Sequence, residues 1–302
     1  MSNAPTHAIH PDLPTLIALR QRVLAWPPPQ RARGSAAGPA TSPLRGRGMD
    51  YAESRLYVPG DDARHIDWRV TARTGKTHTK VFHAERDRVT WIVADTASTL
   101  YFGTRRCFKS VLAAEVGALT AWAAQRSGDR IGALRGSRAE AALPPAGGNR
   151  GALRALDALC RWYRSPPAED AGLDTALQTL ARISKPGSRV LALIDPRSVD
   201  EVADARFTAL AAHHDAIAVL LTDPLELAPP SAQLAFAGAL SRVELDLRGA
   251  DARKRWALAF GERFEAASQR LARLGWRVLP LRTDESAERV LTAVLPFRRE
   301  AA

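Results

Sequence analysis

Cysteine is nearly absent from this sequence. Cys107 and Cys160 are the only two in 302 residues, too few for a disulfide-built scaffold. Both fall in apolar helical patterns, where a buried free thiol is the expected state. Long apolar runs are also missing: no stretch approaches the ~20 consecutive apolar residues of a membrane-spanning helix. The first residues, MSNAPTHAIHPDLP, have neither a basic start nor an apolar core, so no signal peptide is expected. These absences together lead us to expect a cytoplasmic location.

Lysine is scarce as well, at five residues, although the chain is basic. Forty-three Lys and Arg against 32 Asp and Glu leave a formal charge of +11. Nucleic acid is the first partner such a charge suggests. A groove for it should combine a basic stripe with aromatic residues for stacking, but the arginines are scattered among acids and no segment shows that combination.

Familiar catalytic signatures are missing too. The stretch Thr74-Gly75-Lys76-Thr77 resembles the end of a phosphate-binding loop, but Val70 stands where the first glycine is required and no core strand precedes it. No G-x-S-x-G elbow or H-E-x-x-H pair occurs. His213 and His214 end a helical pattern and read as a solvated helix end. His65 and His83 have no partner at a useful spacing. An enzyme is therefore not expected.

What the sequence does contain is a core: apolar residues make up 46% and charged residues 25%, the balance of a folded globular chain. Residues 88–95, 129–136, 188–195, 215–223 and 275–283 read as strands, most of them apolar on both faces, and helical patterns separate them. Residues 139–143 read as a short edge partner, 236–249 as a hairpin-like piece, 251–274 as one long helix and 285–295 as a last helix. Asn149 is a plausible N-cap for the helix that follows it. Strands of this kind alternating with helices indicate a mostly parallel sheet covered on both sides. We expect an α/β domain over 88–298, an N-terminal helix and Pro/Gly-rich linker over 1–47, and an irregular β-rich extension over 48–87. Asp95, Asp195 and Asp223 each end a strand, where doubly wound sheets collect their binding chemistry.

A second feature is the run RLYVPGDDARHIDWRVTARTGKTHTKVFHAERD followed by VTWIVADTAST. It resembles the signature of the family called domain of unknown function 58, matching at Arg55, Tyr57, Gly60, Asp61, Asp62, Arg64, Ile66, Asp67, Trp68, Ala72, Arg73, Glu85 and Arg86. SGDRIGAL and AVLLTDPLE further along are also similar to this family. The resemblance implies a von Willebrand factor A-like domain: a central, mostly parallel sheet with helices on both faces. It further implies a Mg²⁺-dependent adhesion site at the top of that sheet, and a MoxR-type AAA+ ATPase as partner in chaperone-like maturation of client proteins. The ATP chemistry would then belong to the partner, since no Walker sequence occurs here.

Carried onto this chain, the metal set is Asp95, Thr99, Thr175 and Asp195, with Ala97 in place of a ligand serine. Mg²⁺ requires near-octahedral oxygen coordination, so the set is one direct ligand short. The other reading is that Asp95 and Thr99 cap the helix that follows them. In the signature run, Asp61 or Asp62 is expected to cap a short helix. Arg64 and Arg73 are the expected partners of Asp61 and Asp67, and Trp68 is the expected core anchor of a segment packed on the main domain. The reading favoured is a non-enzymatic protein-binding adaptor. Its rivals are a basic nucleic-acid-associated protein and a metal-dependent hydrolase centred on Asp95 and Asp195.

Overall fold

The computed structural model describes residues 8–27, 49–84, 88–237 and 242–295. The Pro/Gly-rich stretch 28–48 and signature residues Glu85 and Arg86 lie outside the described residues. The chain divides into two compact units: Arg31–Asp87, and Met1–Gln30 together with Arg88–Ala302.

The N-terminal residues thus belong to the larger unit. Their apolar stretch forms two short helices, α1 (Leu13–Ala18) and α2 (Arg20–Ala25). Asp12 caps the first through Thr15 N at 3.0 Å, and Leu16 and Val23 enter the core.

The smaller unit pairs β1 (Met49–Leu56) antiparallel with β2 (His78–Ala84), and α3 (Trp68–Thr74) lies between them in sequence. Its aspartates cap turns, though with different partners from those expected. Asp61 pairs with Arg55 at 2.6 Å and accepts from Val58 N at 3.0 Å, so Arg64 is not its partner. Asp62 accepts from Arg64 N at 2.9 Å and opens a 3-10 turn over Ala63–His65. Asp67 directs its oxygens to Ser54 Oγ, 2.7 Å, and Val70 N, 3.2 Å, which makes it the N-cap of α3 and not a partner of Arg73. Trp68 is 69% exposed. It is therefore not a core anchor. The phosphate-loop lookalike proves to be the end of α3: Gly75 adopts φ +68° there, a left-handed helix stop that suits glycine.

The larger unit contains β3 (Val89–Ala94), α4 (Lys109–Arg126), β4 (Arg130–Arg135), β5 (Leu143–Ala146), α5 (Gly148–Tyr163), α6 (Gly172–Ile183) and β6 (Arg189–Ile194). It continues with α7 (Asp204–His213), β7 (Asp215–Thr222), α8 (Pro224–Leu227), β8 (Gln233–Ala237), β9 (Arg242–Asp246), α9 (Ala250–Ala259), α10 (Gly261–Arg273), β10 (Arg277–Arg282) and α11 (Leu291–Val294). Six strands form one sheet in the order β10-β7-β6-β3-β4-β5. All pair parallel except β5, which runs antiparallel to β4. β8 and β9 form a separate antiparallel hairpin.

Side chains alternate across each strand, so both faces are buried. Ile92, Ala94, Leu191, Leu193 and Val219 face a core shared with α1, α2, α4 and α5. Trp91, Val93, Val190, Ala192 and Ala218 face the other, shared with α6, α7 and α10. At ~1.5–3 kcal/mol for each large side chain removed from water, these two layers supply most of the drive to fold. Helix α4 is buried almost from end to end. Its small residues let α5 approach closely: a Cβ on Gly117 would stand 2.6 Å from Leu159 Cδ1. Among the described residues no helix is long and apolar enough to cross a membrane.

Three sequence expectations shift in detail. The edge strand is Leu143–Ala146, not residues 139–143, because Glu140 is engaged by Arg135 Nε at 3.1 Å and Trp162 Nε1 at 2.9 Å. Pro144 and Pro145 are tolerated in that strand because it lies at the sheet edge. Helix α5 starts from Gly147 with no side-chain cap, so Asn149 lies inside it. The expected helix over 251–274 breaks at Phe260, whose ring lies 4.5 Å from that of Trp256.

Candidate functional site

The sheet order places the chain reversal between β3 and β6: β4 follows β3 on one side, and β6 lies on the other. A crevice at such a switch point, beyond the carboxyl ends of the strands, is where doubly wound sheets bind ligands. Asp95 and Asp195, the first residues past β3 and β6, flank it.

The two aspartates are joined through the backbone. Asp95 N donates to Leu193 O at 3.0 Å, and Asp95 Oδ2 accepts from Asp195 N at 3.0 Å. Asp95 Oδ1 accepts from Ala97 N at 3.0 Å. The next helix, α4, does not begin until Lys109, so Asp95 closes a local turn and caps no helix. Residues Ser98–Leu100 form a 3-10 turn without a side-chain cap. The hydroxyls of Thr96 and Thr99 are buried with no hydrogen-bond partner among the described residues. The capping reading therefore fails at Thr99, whose hydroxyl caps no helix and is not bonded to Asp95.

Asp95 is 2% exposed. Burial pushes its carboxyl up to about 6, against hydrogen bonds from the Ser198 hydroxyl and the Asp195 and Ala97 amides. A carboxyl whose folded pKa exceeds its unfolded value of 3.8 is protonated in both states at low pH. As pH rises from about 4 to about 6, the unfolded chain ionises first and the folded state loses relative stability, by up to roughly 3 kcal/mol. Urea unfolding of native chain and Asp95→Asn should show it. The native chain is expected to lose stability relative to the variant between pH 4.5 and 7, and a constant difference across that range would refute the buried-acid assignment.

Asp195 carries the feature that the sequence did not reveal. Its Oδ1 accepts from Arg197 N at 3.0 Å, while its Oδ2 accepts from Lys109 Nζ at 2.7 Å. The same ammonium donates to Glu226 Oε1 at 2.7 Å. Lys109 is 1% exposed, so this is a buried carboxylate–ammonium–carboxylate bridge. Burial alone would lower the Lys109 pKa, but Asp195 and Glu226 outweigh it and hold it above its ordinary value.

Glu226 is fixed by a capping box at α8. Its Oε2 accepts from Asp223 N at 2.8 Å, and Asp223 Oδ1 accepts from Leu225 N at 2.9 Å. Asp223 also accepts from Thr104 N at 2.9 Å, Thr104 Oγ1 at 2.5 Å and Thr283 Oγ1 at 2.5 Å. The ends of β6, β7 and β10, the 95–108 loop and the start of α4 are thereby tied into one polar network.

Thr175 lies in the first turn of α6, and its hydroxyl donates to Ala171 O at 2.7 Å. Of the four residues expected to hold Mg²⁺, three already use their oxygens within the chain, while the buried Thr99 hydroxyl has no hydrogen-bond partner among the described residues. Asp95 accepts two backbone amides, Asp195 accepts an amide and an ammonium, Thr175 is bonded within its helix, and Ala97 has no oxygen to offer. Among the described residues no three His, Cys, Asp or Glu side chains converge to hold a metal ion. The donor set does not fit a divalent cation as it stands.

Two cavities adjoin the network. A cleft of about 650 Å³ lies over Asp95, Ala97, Ser98, Arg138, Gly172 and Ser198. Its wall depends on a close backbone approach: a Cβ on Gly136 would stand 2.0 Å from Gly172 O, and Ala171 N donates to Gly136 O at 2.9 Å. The second cavity, about 340 Å³, is lined by Thr99, Phe102, Phe236, Trp256 and Phe260. Arg197 stacks over the Phe260 ring at 4.5 Å on its rim. Neither cysteine serves these sites. Both thiols are free, and burial pushes Cys107 up to about 12 and Cys160 up to about 11. His214 is half-buried against Ser184 Oγ at 3.0 Å, so the helix end it occupies is less solvated than its sequence suggests.

A six-stranded, mostly parallel sheet with helices on both faces and its acids at the switch point is consistent with a von Willebrand factor A-like α/β protein. Residues 53–266 match the family described as protein of unknown function DUF58, and the chain belongs to that family. It is similar to uncharacterized protein Mb1516 of Mycobacterium bovis (strain ATCC BAA-935 / AF2122/97). It is equally similar to uncharacterized protein Rv1480 of Mycobacterium tuberculosis (strain ATCC 25618 / H37Rv). Each relative is 32% identical over 216 residues, covering 71% of this chain and 68% of the relative.

Proposed function

We propose that this chain is a non-enzymatic protein-binding adaptor that engages partners through the cleft at the strand ends. The observation that carries this reading is the internal use of the acids beside the cleft. Asp195 and Glu226 are bridged by Lys109, Asp223 is held by Thr104 and Thr283, and Asp95 accepts two backbone amides. A general base must have a lone pair within reach of a substrate proton. These carboxylates spend theirs on holding five segments of chain in place. What they leave is a rigid cleft wide enough to receive a partner's side chains.

The partner we propose is a MoxR-type AAA+ ATPase, with the pair acting in chaperone-like remodelling of client proteins. The family resemblance supports this choice. Co-purification with the MoxR-type ATPase of the same genome tests it: the two are expected to elute together, and Ser98→Trp, which fills the cleft from an exposed position, is expected to weaken the complex at least tenfold. Failure of the native chain to bind the ATPase in any nucleotide state would remove the partner. Undiminished binding by Ser98→Trp would move the interface away from the cleft.

A further inference from the structure

We infer that Lys109 is the resident cation of this site: its ammonium bridges Asp195 and Glu226 where an adhesion-type site would use a metal ion. The inference goes beyond the adaptor reading and does not depend on which partner binds.

Three observations carry it. The first is geometry: one Nζ lies 2.7 Å from Asp195 Oδ2 and 2.7 Å from Glu226 Oε1, and the lysine side chain is 1% exposed. A buried ammonium keeps its charge only where carboxylates compensate the lost hydration, and two do so here. The second is its place in the helix. Lys109 is the first residue of α4, at the positive end of the helix dipole, where a cation is disfavoured. Only the acids across the sheet make that position favourable. The third is the state of the remaining oxygens. Asp95 and Asp195 accept backbone amides, and Thr175 donates to Ala171 O. The positive charge beside Asp195 is therefore supplied by a side chain of this chain.

One consequence concerns recognition. A divalent ion offers an open coordination position to a partner's carboxylate, whereas a buried ammonium offers none. Engagement of the cleft should then be indifferent to chelators.

The chain has five lysines, which makes their ammonium groups separately observable by NMR after selective ¹⁵N labelling. One resonance, assigned through the Lys109 side-chain carbons, is expected to retain its N–H correlation at neutral pH while the other four exchange it away. Adding Mn²⁺ to millimolar concentration is expected to leave its line width unchanged. Absence of a protected ammonium would overturn the inference. So would selective broadening of the Lys109 signal by Mn²⁺ that Asp195→Asn abolishes. Neither readout involves the ATPase, so failure here is distinct from failure of the partner proposal.

Discussion

Lys109→Met is expected to destabilise the chain by about 3–5 kcal/mol, the usual cost of removing one partner from a buried charge pair. Methionine matches the stem in volume, so the loss measures charge and not a cavity. Two carboxylates, Asp195 Oδ2 and Glu226 Oε1, would remain in the protein interior with no cation between them. The native midpoint in urea unfolding should fall accordingly. The double variant Lys109→Met, Glu226→Gln should recover part of the loss, since one uncompensated charge then disappears. Equal stability of Lys109→Met and the native chain would mean that the bridge is not desolvated, and the description of the site would have to change.

The second large effect is expected at Asp223. Its carboxylate accepts from Leu225 N, Thr104 N, Thr104 Oγ1 and Thr283 Oγ1. Asp223→Ala leaves these donors without their acceptor at a position with no exposure. Each stranded buried donor costs ~1–3 kcal/mol, and losses within one network are not additive, so about 4 kcal/mol in total is expected. For a chain of this size that corresponds to a fall of roughly 10 °C in the thermal midpoint. Asp223→Asn should do little better, because its amide nitrogen would face donors. A fall of a degree or two for either variant would show that the 95–108 loop does not depend on this carboxylate.

Much of the fold was legible from residue order. Runs such as 88–95 and 188–195 are apolar on both faces, and a sheet covered by helices on both sides is the arrangement that buries them. Strand ends were readable because Asp95, Asp195 and Asp223 stop those runs. The hairpin was readable from its polar alternation. An aromatic residue next to a cap, such as Trp68, reads as an anchor in the sequence, but its direction depends on how α3 is set. The pairings of Asp61 and Asp67 are likewise not fixed by residue order. Several arginines stand at comparable spacing, and the turn that bonds Asp61 N to Val58 O brings Asp61 back to Arg55, while the bond from Asp67 N to His78 O of β2 sets Asp67 beside Ser54.

Lys109 left one faint trace, a single cation in an otherwise apolar helical pattern from Cys107 to Trp122 broken further only by Glu115 and a few small polar residues. AVLLTDPLE left another, since it holds the Asp223–Glu226 capping box that turns Glu226 toward the ammonium. Neither trace names the other. The sequence alone determined the strands, their order of appearance and the acids at their ends, because apolar periodicity is a local property. The tertiary structure decided what those acids do. Lys109 is 86 residues from Asp195 and 117 from Glu226, and a bond over such a separation exists only once the parallel sheet has brought β6, β7 and α4 to the same end of the domain.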